Sequence, residues 1–206
     1  SNVFLYGAGT DLTKTTNVPL ALAKGINVSL APDWSIGGSQ NLLDELRFAH
    51  QVDAAQWGNS LDAQTLTRMV TTNPARAMHL DGVLGSLTVG KKADVVVYGG
   101  DAAHPFDALL AATPKDVRLV LVGGTALYGD AQLKPVGPAS PGCEDLAICT
   151  KNKFVCVAEN GGTASNKLGQ TYAQIESTLS SALASYDALG LTQWTFSPIA
   201  PLVKCE

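Results

Sequence analysis

Asp33 follows an apolar alternating run and a proline in the stretch "GINVSLAPDWSIGGSQNLLDELRFA", which begins at Gly25. Ile26, Val28 and Leu30 alternate with Asn27 and Ser29, the period-two pattern of a strand over 26–31. Pro32 has no N–H to give to a ladder and marks where pairing stops. A carboxylate just past the carboxyl end of a strand, with loop glycines behind it, sits where α/β folds hold their chemistry, and it suits proton transfer. The alternative is an Asp that caps nearby backbone N–H groups. The other reactive side chains are scattered. His50 and His79 fall in expected helices and His104 in a loop, each read as a structural histidine. There is no His-x-His pair and no Gly-x-Ser-x-Gly elbow, and no cysteine has an evident histidine partner. "YGAGTD" and "SIGGS" lack the spacing of a nucleotide loop and read as turns, and Lys91-Lys92 reads as a solvated turn.

All four cysteines, at 143, 149, 156 and 205, lie in the last third. Their spacing fits neither paired Cys-x-x-Cys zinc sites nor a redox motif. An even number in polar, loop-rich surroundings suggests two disulfides, with free thiols as the alternative. Three pairings are open, of which Cys143–Cys149 with Cys156–Cys205 is the simplest. Disulfides point to a periplasmic or secreted protein, free thiols to a cytoplasmic one.

Composition limits the function classes. Apolar residues make up 46% of the 206 and charged residues 16%, the balance of a globular chain rich in buried strands. A net charge of −4 argues against nucleic acid or an anionic membrane as the main partner. No apolar run approaches the roughly 18 residues of a membrane span. Ser1 is preceded by neither an initiator Met nor a basic segment, so the start reads as processed.

Several elements must position Asp33. Asn17 caps a short helix with Pro19 in its first turn and Gly25 closing it. A longer helix over 39–57, capped by Ser39, carries Leu42, Leu43, Leu46, Ala49 and Val52 on one face. A helix over 62–71 precedes Asn73-Pro74, read as a cap with proline in the first helical position, and the next helix ends near Asp81-Gly82. The middle of the chain turns to β: a strand over 93–98, then two runs separated by Gly123-Gly124, a hairpin signal. After the Pro- and Gly-rich connector "KPVGPASPG", a helix over 171–188 opens on a Thr171/Gln174 capping box. It carries Tyr172, Ile175, Leu179, Leu183 and Tyr186 on one face.

"INVSLAPDWSIGGSQNLLDELRFA", "LTRMVTTNPARAMHLDGVLGSLTVGKKADVVVY" and "DVRLVLVGGTALYGD" together resemble the carboxyl-terminal part of the amidohydrolase superfamily, in its cytosine-deaminase-like and chlorohydrolase-like branch. The resemblance covers roughly residues 1–135. It implies an α/β fold class: the carboxyl-terminal fragment of a (β/α)8 TIM barrel over 1–80, strands of a small β-sandwich over 81–135, and a Cys-containing extension over 136–206. "APDWS" resembles the end of barrel strand eight, with Ala31-Pro32 where the family usually has Gly-Thr. On that resemblance Asp33 is both the metal ligand and the catalytic proton carrier. Trp34 and Ser35 line the substrate mouth, and Ser1 and Asn2 belong to the tail of strand seven. The implied cofactor is a divalent metal, zinc first and iron second, which lowers the pKa of its bound water to about 7. The imidazole ligands belong to strands that would precede Ser1, so tight metal binding by this chain alone is not expected.

Two functions stay open at this level. One is a metal-dependent hydrolase or deaminase acting on C–N or related bonds of a small cyclic substrate. The other is a non-catalytic scaffold that keeps the fold without the histidines. The expected partners are the preceding part of the same enzyme, a small-molecule substrate and, as a further option, another copy of the chain.

Overall fold

The computed structural model describes residues 16–32, 39–138, 143–157, 170–201, 203 and 205. The chain forms two compact units, Ser1–Ala93 with Tyr98–Asp116, and Asp94–Val97 with Val117–Glu206. Strands beyond residue 136 belong to the same sheet as those before it.

The described part of the first unit is helical. Helix α1 (Val18–Ala23) is capped by Asn17, whose Oδ1 accepts from Leu20 N at 3.0 Å, and Gly25 follows at φ 73°. Helix α2 (Leu42–Val52) starts later than expected. Asn41 rather than Ser39 caps it, accepting from the N–H groups of Leu43 and Asp44, and Ser39 Oγ instead donates to Glu45. A π turn over Asp53–Trp57 ends it. The fully buried Asp53 explains the stop: its carboxylate accepts from Ser60 N, Ser60 Oγ and Leu61 N, folding the chain back. Helix α3 (Ala63–Met69) is capped by Asp62, while α4 (Thr72–Ala77) follows Thr71, whose hydroxyl donates to the Thr67 carbonyl and caps nothing. Asn73 therefore lies inside α4 and is not its cap, and the helix ends before the expected Asp81-Gly82. After β1 (Val95–Tyr98) come α5 (Pro105–Ala111) and a 3-10 turn over Pro114–Asp116. Val18, Leu46, Leu61, Leu66, Met69 and Leu110 form the core. Full burial of each large side chain contributes roughly 2 kcal/mol before entropy is counted.

Where the alternation predicts a strand, residues 26–31 form no ladder among the described residues, although Val28 and Leu30 are half-buried while Asn27, Ser29 and Ala31 are exposed. An α/β strand lies between neighbouring strands, and the described part of this unit supplies only helices beside it.

The second unit is an antiparallel sheet. Strands β2 (Val117–Val122) and β3 (Thr125–Asp130) make the expected hairpin. Its turn residues Gly123 and Gly124 sit at φ 58° and 85°, where a side chain is disfavoured. Strands β4 (Glu144–Ile148) and β5 (Lys151–Val155) then extend the sheet to the order β1-β2-β3-β5-β4. Phe154 is fully buried with Ala126 and Cys156. Gly129 faces its ring, and a Cβ there would lie 2.8 Å from the Arg118 carbonyl. Opposite Asp130 in register stands Lys153, buried, with Nζ donating to Asp130 Oδ1 at 2.6 Å and to the Val117 carbonyl at 2.7 Å. Burial alone would raise the Asp130 pKa. Hydrogen bonds and charge from Lys153 and Arg118 outweigh it and hold the carboxyl below its ordinary range.

Helix α6 (Tyr172–Ala188) has the expected capping box, and the Glu144 carboxylate accepts two more of its first N–H groups, from Tyr172 and Ala173. None of its residues is buried. Ile175 and Leu183 are half-covered while Leu179 and Tyr186 are exposed, so the expected packing face is only partly used. The Asp187 carboxylate accepts from Phe196 N, Ser197 N and Ser197 Oγ, which folds the chain end back onto the helix.

The cysteines pair as Cys143–Cys156 and Cys149–Cys205, correcting the simplest pairing. Cys143 and Cys149 flank an extended strand and stand about 20 Å apart along it, beyond the reach of a disulfide. Glu144 is paired with Val155, so Cys156 meets Cys143 across the mouth of the hairpin. Cys149 lies in the hairpin turn at φ 52° and is tied to the chain end. In the chain-entropy account the two bridges contribute about 3 and 4 kcal/mol. Non-reducing peptide mapping should recover these two linked pairs. A Cys143–Cys149 peptide, or alkylatable thiols in unreduced protein, would contradict the hairpin register.

Candidate functional site

Asp33, Trp34, Ser35 and Asn2 lie outside the described residues. What the structure does describe is how the chain reaches Asp33. In an extended segment the N–H and C=O groups of alternate residues point to the same edge. On the even-numbered edge, Ile26 N–H donates to the Ala21 carbonyl at 3.0 Å and Leu30 N–H to the Met69 carbonyl at 2.9 Å. Between them the Val28 carbonyl accepts from Asn73 Nδ2 at 2.8 Å. The amide pair is reciprocal, because Asn27 Nδ2 donates to the Asn73 carbonyl at 2.9 Å. Val28 and Leu30 pack against the helical core, while Ile26 stays exposed. Helices α1, α3 and α4 thus hold the segment along one edge, up to three residues before Asp33.

Sequence reasoning missed Asn73. Its signal was present in two threonines, Thr71 and Thr72, that stand before it and can start the helix. Thr71 stands at the N-cap position, and the Asn73 carboxamide reaches 45 residues back along the chain.

The histidines do not gather. His50 is exposed on α2. His79 lies just past α4 at φ 56° rather than within a helix. His104 begins α5, with Nδ1 2.9 Å from Asp101 Oδ2. The bond to His104, joined by one from Ala103 N–H, holds the Asp101 carboxyl below its ordinary range. This pair opens onto a shallow groove of about 620 Å³ with Gly99, Asp107, Ala108 and Asp116. The groove is lined by glycine, alanine, aspartate and this one imidazole, so it offers no nucleophile for the His–Asp pair to activate. Lys91 is half-buried, not solvated as expected, with Nζ 2.7 Å from Ser86 Oγ.

Among the described residues no three His, Cys, Asp or Glu side chains come together to hold a metal ion, and all four cysteines are disulfide-bonded. The residues described do not fit a metal centre. No described helix is long and apolar enough to cross a membrane.

A family model described as the amidohydrolase family matches residues 12–127. The chain belongs to the amidohydrolase family. It is 33% identical over 125 residues to a 5-methylthioadenosine/S-adenosylhomocysteine deaminase of Thermoanaerobacter pseudethanolicus, covering 56% of this chain and 29% of that protein. It is 32% identical over 116 residues to a 5'-deoxyadenosine deaminase of Methanosarcina acetivorans, covering 52% and 26%. Guanine deaminase of E. coli has a similar fold, with a TM-score of 0.52 at 22% identity over 62% of this chain and 32% of that one. This amidohydrolase chain spans under a third of the length of the curated relatives it matches. The family match ends within β3, so β4, β5 and α6 lie outside it.

The expected behaviour of the 206-residue chain follows. After incubation with zinc and dialysis, metal analysis should find far less than one zinc per chain, since lone carboxylates and scattered imidazoles do not replace a clustered ligand set. One tightly held zinc per chain would contradict this description.

Proposed function

We propose that the complete protein carrying this chain is a deaminase of the amidohydrolase family, hydrolysing a C–N bond of a small cyclic substrate. Family membership carries this reading, and the relatives' names support it. Both named relatives act, by those names, on adenosine derivatives. We therefore take the substrate class to be a nitrogen heterocycle bearing an exocyclic amine. Residues 26–31 are proposed as the last strand of a (β/α)8 barrel, with the preceding part of the same protein as their structural partner. A second copy of the chain is the other partner we consider.

Asp33 is the proton carrier in this reading. Its carboxylate takes a proton from the attacking water as the new C–O bond forms at the amine-bearing carbon. It then delivers that proton to the departing nitrogen as the C–N bond breaks, so that ammonia leaves, and the water's second proton passes to the adjacent ring nitrogen to leave a carbonyl beside a ring N–H. Trp34, Ser35 and Asn2 are assigned to the mouth of the substrate pocket. Amidohydrolases generally use a divalent metal, zinc being the first choice here. The described residues do not form its site, so we assign its imidazole ligands to the remainder of the complete protein. Two disulfides favour an oxidising compartment, the periplasm or the exterior.

The test is ammonia release from 5-methylthioadenosine by the complete protein and by its Asp33→Asn variant. The variant should lose at least about a hundredfold in kcat while keeping its circular dichroism and thermal midpoint. Near-normal turnover would reduce Asp33 to a loop cap, and no release by the unaltered protein would contradict the substrate class.

A further inference from the structure

Helix α6 belongs to the second unit without sharing its core. None of its residues is buried, and the cluster around Phe154 contains none of them. With four serines and a threonine among its 17 residues, it is also a weak helix by itself, since a helix of that length is marginal in water even for better formers. Three ties hold it instead. At its start the Glu144 carboxylate accepts from Tyr172 N and Ala173 N. At its end Asp187 accepts from Phe196 N and Ser197 N, and the Tyr186 and Phe196 rings meet edge to face at 5.6 Å, so helix and tail form one body. The third tie is covalent, Cys149–Cys205, and joins the tail to the β4–β5 turn. Glu144 opens β4 and Cys149 directly follows it, so one edge strand holds both ends of the body.

The two disulfides differ in their surroundings. Cys156 is 2% exposed, its N–H donates to the Leu127 carbonyl at 2.8 Å, and it lies in the Phe154 cluster with Cys143 packed against it. Cys205 is exposed, and Cys149 stands in the hairpin turn, outside the ladder that runs from Glu144–Val155 to Ile148–Lys151. A thiolate can therefore reach the second bridge without opening the sheet, and breaking that bridge removes no ladder pair. We propose that Cys149–Cys205 is a redox latch: a dithiol reductant opens it selectively and frees α6 with its tail, while Cys143–Cys156 keeps the β4–β5 hairpin closed. The dithiol's thiolate attacks Cys205 Sγ, the S–S bond breaks, and Cys149 leaves as a thiolate that takes a proton from water. The dithiol's second sulfur, as its thiolate, then displaces Cys205, which is protonated in turn. The reductant ends as a cyclic disulfide and the protein as two thiols. What then remains at the start of α6 is Glu144, whose bond to Ala173 N is open to competing water. The latch is closed in the oxidising compartment proposed above and opens where a dithiol meets the protein. It involves none of the residues assigned to deamination.

The experiment treats the complete protein with dithiothreitol, alkylates the thiols released at successive times and maps the peptides. Cys149 and Cys205 should become alkylated at least about tenfold sooner than Cys143 and Cys156. Amide exchange over residues 172–188 should then quicken by at least about tenfold, with β2, β3 and β5 unchanged. In a sample left unalkylated, reoxidation with oxidised glutathione should restore the slow exchange. The same quickening is expected without reductant in the double variant Cys149→Ser, Cys205→Ser. Equal rates of reduction at the two bridges would overturn the proposal, as would unchanged exchange in α6 once its bridge is open. Loosening of β2, β3 and β5 together with α6 would also overturn it, because the bridge would then support the whole unit. If the double variant does not fold, the unaltered protein alkylated at 149 and 205 supplies the same measurement. None of these outcomes bears on the deaminase reading, which the Asp33→Asn assay tests separately.

Discussion

A main-chain segment that forms no ladder must satisfy its N–H and C=O groups by other means, and along one edge residues 26–30 do so through helices. Ile26, Val28 and Leu30 turn one edge towards α1, α3 and α4, where two carbonyls and one asparagine amide receive it. The rest of the first unit depends on this arrangement. Val28 and Leu30 pack against the helical core while the edge is held. The opposite edge, formed by the main-chain groups of Asn27, Ser29 and Ala31, has no protein partner among the described residues.

The second unit solves a different problem. A hairpin at the edge of a sheet exposes unpaired backbone, and β4 sits at that edge. Covalent ties compensate. Cys143–Cys156 closes the mouth of the β4–β5 hairpin, and Cys149–Cys205 ties its turn to the chain end. Glu144, on the same edge strand, spends its carboxylate on the start of α6. Inside the sheet, the buried Lys153 is tolerated because Asp130 and the Val117 carbonyl receive its ammonium. Removing Asp130 alone would leave that charge buried with one fewer partner.

Local chemistry was legible in the sequence where a residue's role is settled by its immediate neighbours. The Asn17 cap, the Gly123-Gly124 hairpin and the Thr171/Gln174 capping box all formed as expected. The family was also legible, in motifs that span helix and strand boundaries. Expectations failed where a distant residue decided the outcome. Asn73 before Pro74 has the pattern of a cap, and periodicity cannot reveal its bond to Val28. The disulfide pairing followed from strand register, which spacing between cysteines does not encode. Of the candidate site itself, the sequence supplied Asp33 and its neighbours, and the structure supplied the scaffold leading up to them.

The most direct measurement is amide hydrogen exchange on the 206-residue chain, resolved at Leu30 and Ser29. These neighbours share the same extended segment but point their N–H groups to opposite edges. A segment held by helices along one edge predicts that Leu30, bonded to Met69, exchanges at least about a hundredfold more slowly than an unstructured peptide, while Ser29 exchanges near the free rate. Equal and rapid exchange at both positions would contradict the account, because it would mean that nothing holds the approach to Asp33.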